Sequence, residues 1–438
     1  MIDSAKGINT FNSLMYLAMF LITFTIFPFY KYGLGSGKSL SFIPLILYIT
    51  LNVFKGRLFV AKKFLIEIFM IGIILLLSFF LGVLRYNSIL GFSFSLSMWM
   101  SYVLVMTALY TFFKAAEIND IRNFLLSIFY SFKISLIFGI LEVIYQIIAP
   151  IGLIKFLVCF FVRDEMYISS RVQFNFGEPS ECVFIVILLF PVIYLLNKLH
   201  YKFSLFDKFF VCMLVIIAFL FSKSVTFILF FSTFCLLYFA SRLQNKNQKK
   251  LKTALILFSI LTLVALVFIV NYLEEYAFSN DVRALKLLIR PEDALKDDFS
   301  SATRIGLWVV SFYMFWDSPI MGCGFGYFGT KFKDFVWSID KVFLTPEMLS
   351  KTSDLQQQTY SIITAAFCEG GFLGILWLIL LLSRLKFNSQ YNILFVPLFL
   401  LMIFQSMFIY IPTMCLLYFL LTNHKILKIA NQYEYEKN

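Results

Sequence analysis

Charge is scarce in this sequence. Asp, Glu, Lys and Arg make up 14% of its 438 residues, where a soluble domain carries about 25%. Histidine is nearly missing: His200 and His424 are the only two. Seven cysteines (Cys159, Cys182, Cys212, Cys235, Cys323, Cys368 and Cys415) lie far apart, with no CxxC pair and an odd total. That spacing gives neither a zinc site nor a disulfide framework. The first apolar run follows Met1–Lys6 without a strongly basic start or a small-residue cleavage site. It therefore reads as a retained helix rather than a signal peptide. No internal repeat of the kind that builds alternating-access transporters is visible.

Apolar side chains are abundant instead, at 61% of residues with a mean hydropathy of +0.86. A soluble protein, a disordered chain and a nucleic-acid binder are all excluded, whatever the pI of about 9.2 suggests. A span needs about 20 apolar residues, and twelve runs of suitable character can be read. They lie near Phe11–Tyr30, Leu40–Phe54, Phe64–Leu84, Phe92–Phe113, Phe124–Ala149, Pro179–Leu196, Phe209–Phe221, Val225–Ala240, Thr253–Asn271, Ile362–Leu382, Ile393–Phe408 and Ile411–Leu421. Pro412 either hinges one long helix or separates two. The expectation is an all-α polytopic membrane protein, residues 1–438 forming one integral membrane domain.

Numbering the loops from a cytoplasmic N-terminus puts twenty basic residues inside, among them Lys55, Arg57, Lys62, Lys63, Lys114, Arg122, Lys249, Lys250 and Arg384. Four lie in short outside turns: Lys31, Lys38, Arg85 and Lys223. That asymmetry is a positive-inside signal and places both termini in the cytoplasm. Two outer segments are long, 150–178 and 272–361, and loops of that length translocate regardless of charge. A structureless loop as long as the second is unusual without a function of its own.

Ionisable groups at membrane depth are functional candidates by default. Glu67 lies within one turn of the cytoplasmic end of its span and is expected to reach the interface. Lys133 and Glu142 are nine residues apart, about 13 Å along a helix, and cannot pair directly. Glu369, in Cys368-Glu369-Gly370-Gly371, reads either as a site residue or as a neighbour of glycines that allow close helix approach. Both histidines fall on the cytoplasmic side. Glu292, Asp293, Asp297 and Asp298 lack the ligand mix of a zinc site and suit a solvated helical face.

Three outer segments combine a cation with a special backbone. Arg171 precedes Gly177-Glu178-Pro179-Ser180-Glu181, where proline and acids suit the first turn of a span. The turn Phe221-Ser222-Lys223-Ser224 presents one ammonium group. The third segment is Ser300-Ser301-Ala302-Thr303-Arg304, then Ile305–Trp316, then Asp317-Ser318-Pro319-Ile320-Met321-Gly322-Cys323-Gly324-Phe325-Gly326-Tyr327. About thirteen helical residues reach about 20 Å, too short to cross. Trp308, Phe312 and Trp316 share one face, which suits a helix lying in the interface with Arg304 at headgroup depth. The glycine run lacks the strand that a nucleotide loop requires and suits close backbone packing.

These residues carry a resemblance. An arginine followed by Gly-Glu-Pro-Ser at the head of a span resembles the O-antigen polymerase (Wzy) and O-antigen ligase superfamily. So does an arginine, aromatic helix, Pro and Gly-x-Gly-x-Gly run closing a large outer loop. Glu369-Gly370-Gly371-Phe372-Leu373-Gly374 agrees with it, and Ser222-Lys223 resembles its Ser-Arg turn with lysine in place of arginine. The likeness spans roughly Arg171 to Gly374.

The resemblance implies a type C glycosyltransferase-like fold acting on the outer face of the cytoplasmic (inner) membrane. It implies undecaprenyl-pyrophosphate-linked repeat units as donor and acceptor, and no cofactor or metal. A chain-length regulator and a flippase are the implied partners, with no nucleic acid. Arg171, Glu178 and Arg304 are the implied catalytic residues, with Arg171, Lys223 and Arg304 on the pyrophosphate, whose developing charge guanidinium and ammonium groups stabilise. Arginine matches phosphate oxygens in bidentate fashion. The superfamily's ligases resemble one another in a histidine just before the Glu-x-Gly helix. Here that stretch is Asp354-Leu355-Gln356-Gln357-Gln358-Thr359-Tyr360, without one, which favours a polymerase and leaves the general base unassigned; Glu178 is the candidate, the alternative being that it orients Arg171 through a salt bridge. The alternatives are an O-antigen ligase and a polysaccharide flippase or other transporter, which needs a polar path from both leaflets.

Overall fold

The structure is a computed structural model, and it describes residues 2–24, 39–148, 179–221, 233–235, 237–238, 299–339, 343–350, 359, 361–386, 389–405, 411–423 and 426. Among them there is helix and no strand. The helices are α1 (Ile2–Phe20), α2 (Phe42–Phe54), α3 (Lys62–Tyr86), α4 (Leu90–Ala115), α5 (Ile118–Ile148), α6 (Pro179–Lys198) and α7 (Leu205–Phe221). After them come α8 (Phe299–Asp317), α9 (Phe328–Phe335) with a 3-10 turn at Val336–Ser338, and α10 (Pro346–Ser350). The last group is α11 (Ile362–Thr364), which opens into a π-helical turn at Ala365–Glu369, then α12 (Gly371–Leu382), α13 (Gln390–Gln405) and α14 (Ile411–Thr422). Of the described helices, α3, α4 and α5 are long and apolar enough to cross a membrane by length and composition, and six apolar helices are shorter. The protein is a helical membrane protein; the count of twelve spans rests on the sequence.

Several boundaries follow from local chemistry. Pro179 opens α6, where its missing N–H costs no bond. Asn87 ends α3 in the left-handed region at φ 49°, a conformation that asparagine tolerates. Two expectations are corrected. α1 ends at Phe20 with a turn over Leu21–Thr23 instead of continuing to Tyr30. α8 begins at Phe299 and runs 19 residues, about 28 Å, because the polar stretch Ser300–Arg304 is helical and not a lead-in. It is nonetheless absent from the helices apolar enough to span.

Contacts cluster at the two ends of the helices, called inner and outer after the sides that the loop charges would give them. On the inner side, Asn12 and Tyr16 donate to Asp120 at 2.9 and 2.7 Å, and Thr111 bonds the backbone of Phe59. The Arg122 guanidinium lies over the Tyr201 ring at 5.5 Å. On the outer side, the turn between α3 and α4 meets the segment that follows α8. One apolar core runs through α1–α7 and α11–α14. A second, smaller core (Leu307, Val310, Met314, Phe328, Phe332 and Met348 among it) holds α8, α9 and α10 together against Cys368.

Candidate functional site

The outer site is built around the π-helical turn. Ser361 and Thr364 form a reciprocal capping box that fixes the start of α11. The next five residues, Ala365–Glu369, widen into the π turn, a feature that occurs disproportionately at functional sites. The segment Pro319–Tyr327 lies across this turn, backbone against backbone. Cys323 N–H donates to Cys368 O at 2.8 Å, Gly324 N–H to Glu369 O at 3.0 Å, and Phe372 N–H to Pro319 O at 2.8 Å. Gly322 has φ +66°, and a Cβ there would sit 2.3 Å from Glu369 O. Gly326 has φ +83°, and its Cβ would sit 2.0 Å from Gly91 O. The glycine run therefore does what close packing requires of it.

The loop is gripped from its other side by α3 and α4. Phe325 N–H donates to Ser78 Oγ at 2.9 Å, and Tyr327 O–H donates to Ser88 O at 2.7 Å. Tyr327 stacks on Tyr86 with ring centres 4.9 Å apart, and Phe325 meets Trp99 edge-on at 5.4 Å. The Glu369 carboxylate, itself buried, faces the backbone of Gly326 and Phe328 at the head of α9. Around this wedge Asp317 lies 3.8 Å from both Arg85 and Lys331, and Lys331 lies 3.7 Å from Asp334. These are exposed pairs, each contributing about 0–1 kcal/mol.

Arg304 is half-buried on the second turn of α8. Its neighbour Thr303 is buried and shares a 2.6 Å hydrogen bond with Thr345, tying the start of α8 to the segment before α10. One turn beyond Arg304, Trp308 stacks on Phe404 of α13 at 6.0 Å, and Phe312 lies 6.3 Å from Phe367 of the π turn. The aromatic face expected to lie in the interface is thus split. Trp308 and Phe312 contact protein, while Trp316 is 73% exposed. Arg304 is thereby carried on a helix fixed to the outer ends of α11 and α13.

A second polar cluster sits at the inner end. Glu67 is fully buried, and its carboxylate lies 2.7 Å from Arg384 Nη1. Tyr102 donates to it at 2.9 Å and Tyr418 at 3.4 Å. Arg384 also donates to the Lys63 carbonyl. Glu67 therefore does not reach the interface, as the sequence suggested; α4, α12 and α14 enclose it. Lys133 likewise finds a partner that spacing within its own helix could not indicate, Asp207 at 2.5 Å. Burial alone would raise the Asp207 carboxyl, but its bonds with Lys133 and Ser204 more than offset this and hold it below the usual carboxylate range.

Arg171, Glu178 and Lys223 lie outside the described residues. Arg304 is the candidate whose surroundings the structure gives, together with the glycine loop and Glu369. Residues 209–379 match the family model described as O-antigen ligase. That match supports membership in the O-antigen polymerase and ligase superfamily. No curated protein matches the chain, and no solved structure matches it. The matched range runs from α7 into α12, so Lys223, Arg304, the glycine loop and Glu369 fall within it, while Arg171 and Glu178 precede it. Ser78 and Tyr86 on α3, and Ser88 in the turn after it, hold the loop and had no signal in the sequence. Each is an ordinary residue of an apolar hairpin until the loop is seen against it.

Proposed function

We propose that this chain polymerises undecaprenyl-pyrophosphate-linked oligosaccharide repeat units into O-antigen or capsular polysaccharide on the outer face of the bacterial cytoplasmic membrane, as a metal-independent glycosyltransferase. The observation that carries this reading is the family match over residues 209–379, which contains both the Arg304 helix and the Glu369 turn. In the proposed reaction a hydroxyl of the acceptor sugar attacks the anomeric carbon of the donor while the bond to pyrophosphate breaks. Arg304, Arg171 and Lys223 stabilise the charge that develops on the leaving pyrophosphate. Glu178 takes the proton of the attacking hydroxyl. The bilayer presents both lipid-linked substrates, and a chain-length regulator and a flippase act beside the enzyme.

Polymerase is favoured over ligase by one feature of the sequence. The stretch Asp354–Tyr360 before the Glu-x-Gly helix has no histidine. The test is deletion followed by gel analysis of surface lipopolysaccharide. Loss of a polymerase leaves single repeats on the core, whereas loss of a ligase leaves none attached, and the second outcome would reassign the chain. An unchanged ladder would remove it from both activities.

A further inference from the structure

We propose that Cys323 and Cys368 become joined by a disulfide as the chain folds, fastening the glycine loop covalently to the π-helical turn. The two residues are separated by 45 positions in sequence, and the fold brings their main chains into direct contact through the 2.8 Å bond from Cys323 N–H to Cys368 O. Both are free thiols in this structure, but bond lengths on either side of such a main-chain contact keep the two α-carbons within about 6 Å of each other, inside the range of about 4.4–6.8 Å that a disulfide spans. Both side chains are buried in the same small apolar core, between Leu307, Val310 and Met314 of α8 and Phe328 of α9. Of the five described cysteines, Cys212, Cys235 and Cys415 lie outside that core.

The backbone leaves the pair little room to separate. Glycines with positive φ stand on both sides of Cys323, at Gly322 and Gly324, and the second loop bond, Gly324 N–H to Glu369 O at 3.0 Å, follows directly after the first. The inference rests on the proposed outer location, where disulfides form and persist. Two thiols lose two protons and two electrons to form the bond, and an organic disulfide, either a small molecule or an oxidised dithiol protein, accepts them and becomes two thiols. Burial pushes the Cys323 thiol well up, and the nearby Glu369 carboxylate adds to this. A docked thiol of that kind attacks slowly, so the bond forms before the loop is fully seated. Once the loop is docked, reductants reach the bond poorly.

The test uses the full-length protein in its native membranes. Thiols are blocked with a maleimide while the protein is denatured in detergent, and the digest is read by mass spectrometry. The expected result is a peptide pair joined through Cys323 and Cys368, cleaved by reductant and missing from the Cys323→Ser, Cys368→Ser double variant. Maleimide on both residues of the wild-type protein would overturn the proposal. A Lys296→Cys variant probed with an impermeant maleimide on intact spheroplasts separates the two ways of failing. External labelling with free Cys323 and Cys368 sinks the disulfide and leaves the location standing. Labelling only after lysis sinks the location, and the disulfide with it.

Discussion

Replacing Glu67 by glutamine should destabilise the inner end of the helix bundle more than almost any other single change there. The carboxylate is fully buried and sits 2.7 Å from Arg384 Nη1, while the Arg384 side chain keeps 14% of its exposure. At an effective dielectric of about 20, two charges 4 Å apart attract by about 4 kcal/mol, and removing one partner of a buried pair costs about 3–5 kcal/mol. Tyr102 and Tyr418 would also have to donate to a neutral amide. At about 2–4 °C for each kcal/mol in domains of 150–250 residues, with less expected in a longer chain, the apparent Tm in detergent should fall by about 5–10 °C. Arg384→Met alone should do similar damage, since it strands the carboxylate. The double variant Glu67→Leu, Arg384→Met removes both charges and should lose much less than the two single losses added together. The assay is thermal unfolding followed by fluorescence-detected gel filtration of the three variants and the parent. Strict additivity, or a Glu67→Gln protein as stable as the parent, would refute the buried-pair argument.

Arg304→Lys should fail nearly as badly as Arg304→Ala, each losing about 10²–10³ in polymerisation rate, because one ammonium does not reproduce the bidentate fork; a normal chain-length ladder from Arg304→Ala at equal expression would remove this residue from the site. Gly326→Ala should cost about 2–4 kcal/mol, combining a strained positive φ with a methyl 2.0 Å from Gly91 O, read as lost monodisperse protein; the parent's elution profile would count against the wedge. Asp207, held below its ordinary value, stabilises the fold at any pH above the unfolded value of about 3.9, and this is lost as pH falls through its folded value. Asp207→Asn should therefore melt lower than the parent at pH 7, with the gap narrowing as the pH falls below about 3.9; a gap that stays constant as the pH is lowered would contradict the linkage. Polymerisation of purified lipid-linked repeats should survive EDTA, and activity restored only by magnesium or manganese would refute metal independence.

What the sequence disclosed depended on how local the signal was. Several span positions came through because hydropathy is local, and α3, α4, α5 and the start of α6 fall where the apolar runs place them. Glycines flanking Cys323 announced close packing, because positive φ and close approach are properties of the residue itself. Partners were invisible. Glu67 and Arg384 are 317 positions apart, and a carboxylate one turn from the interface looks the same whether it snorkels or is capped by a distant guanidinium. The same holds for Lys133 with Asp207, and for Ser78, which bonds the main chain of Phe325. The start of α8 was misread because Ser300–Arg304 is polar, and helix formation there depends on the Thr303–Thr345 tether and the small core beneath it.

The two polar clusters bear differently on the transporter alternative. Alternating access requires each end of a bundle to open in turn. At the inner end, parting α3 from α12 would pull Glu67 away from Arg384 and leave at least one ion without its partner in an apolar setting, a penalty of several kcal/mol for each ion. Tyr102 on α4 and Tyr418 on α14 would lose the same acceptor, so four helices would have to part together. The outer end is organised otherwise. There α8, α9 and α10 have a core of their own and rest on the π turn through main-chain bonds, while Arg304 and the pairs around Asp317 stay partly solvated. A transferase that meets both substrates in one leaflet needs a rigid closed floor and an accessible rim. A pump would work against that floor in every cycle, and for this reason the enzyme reading demands less of the fold.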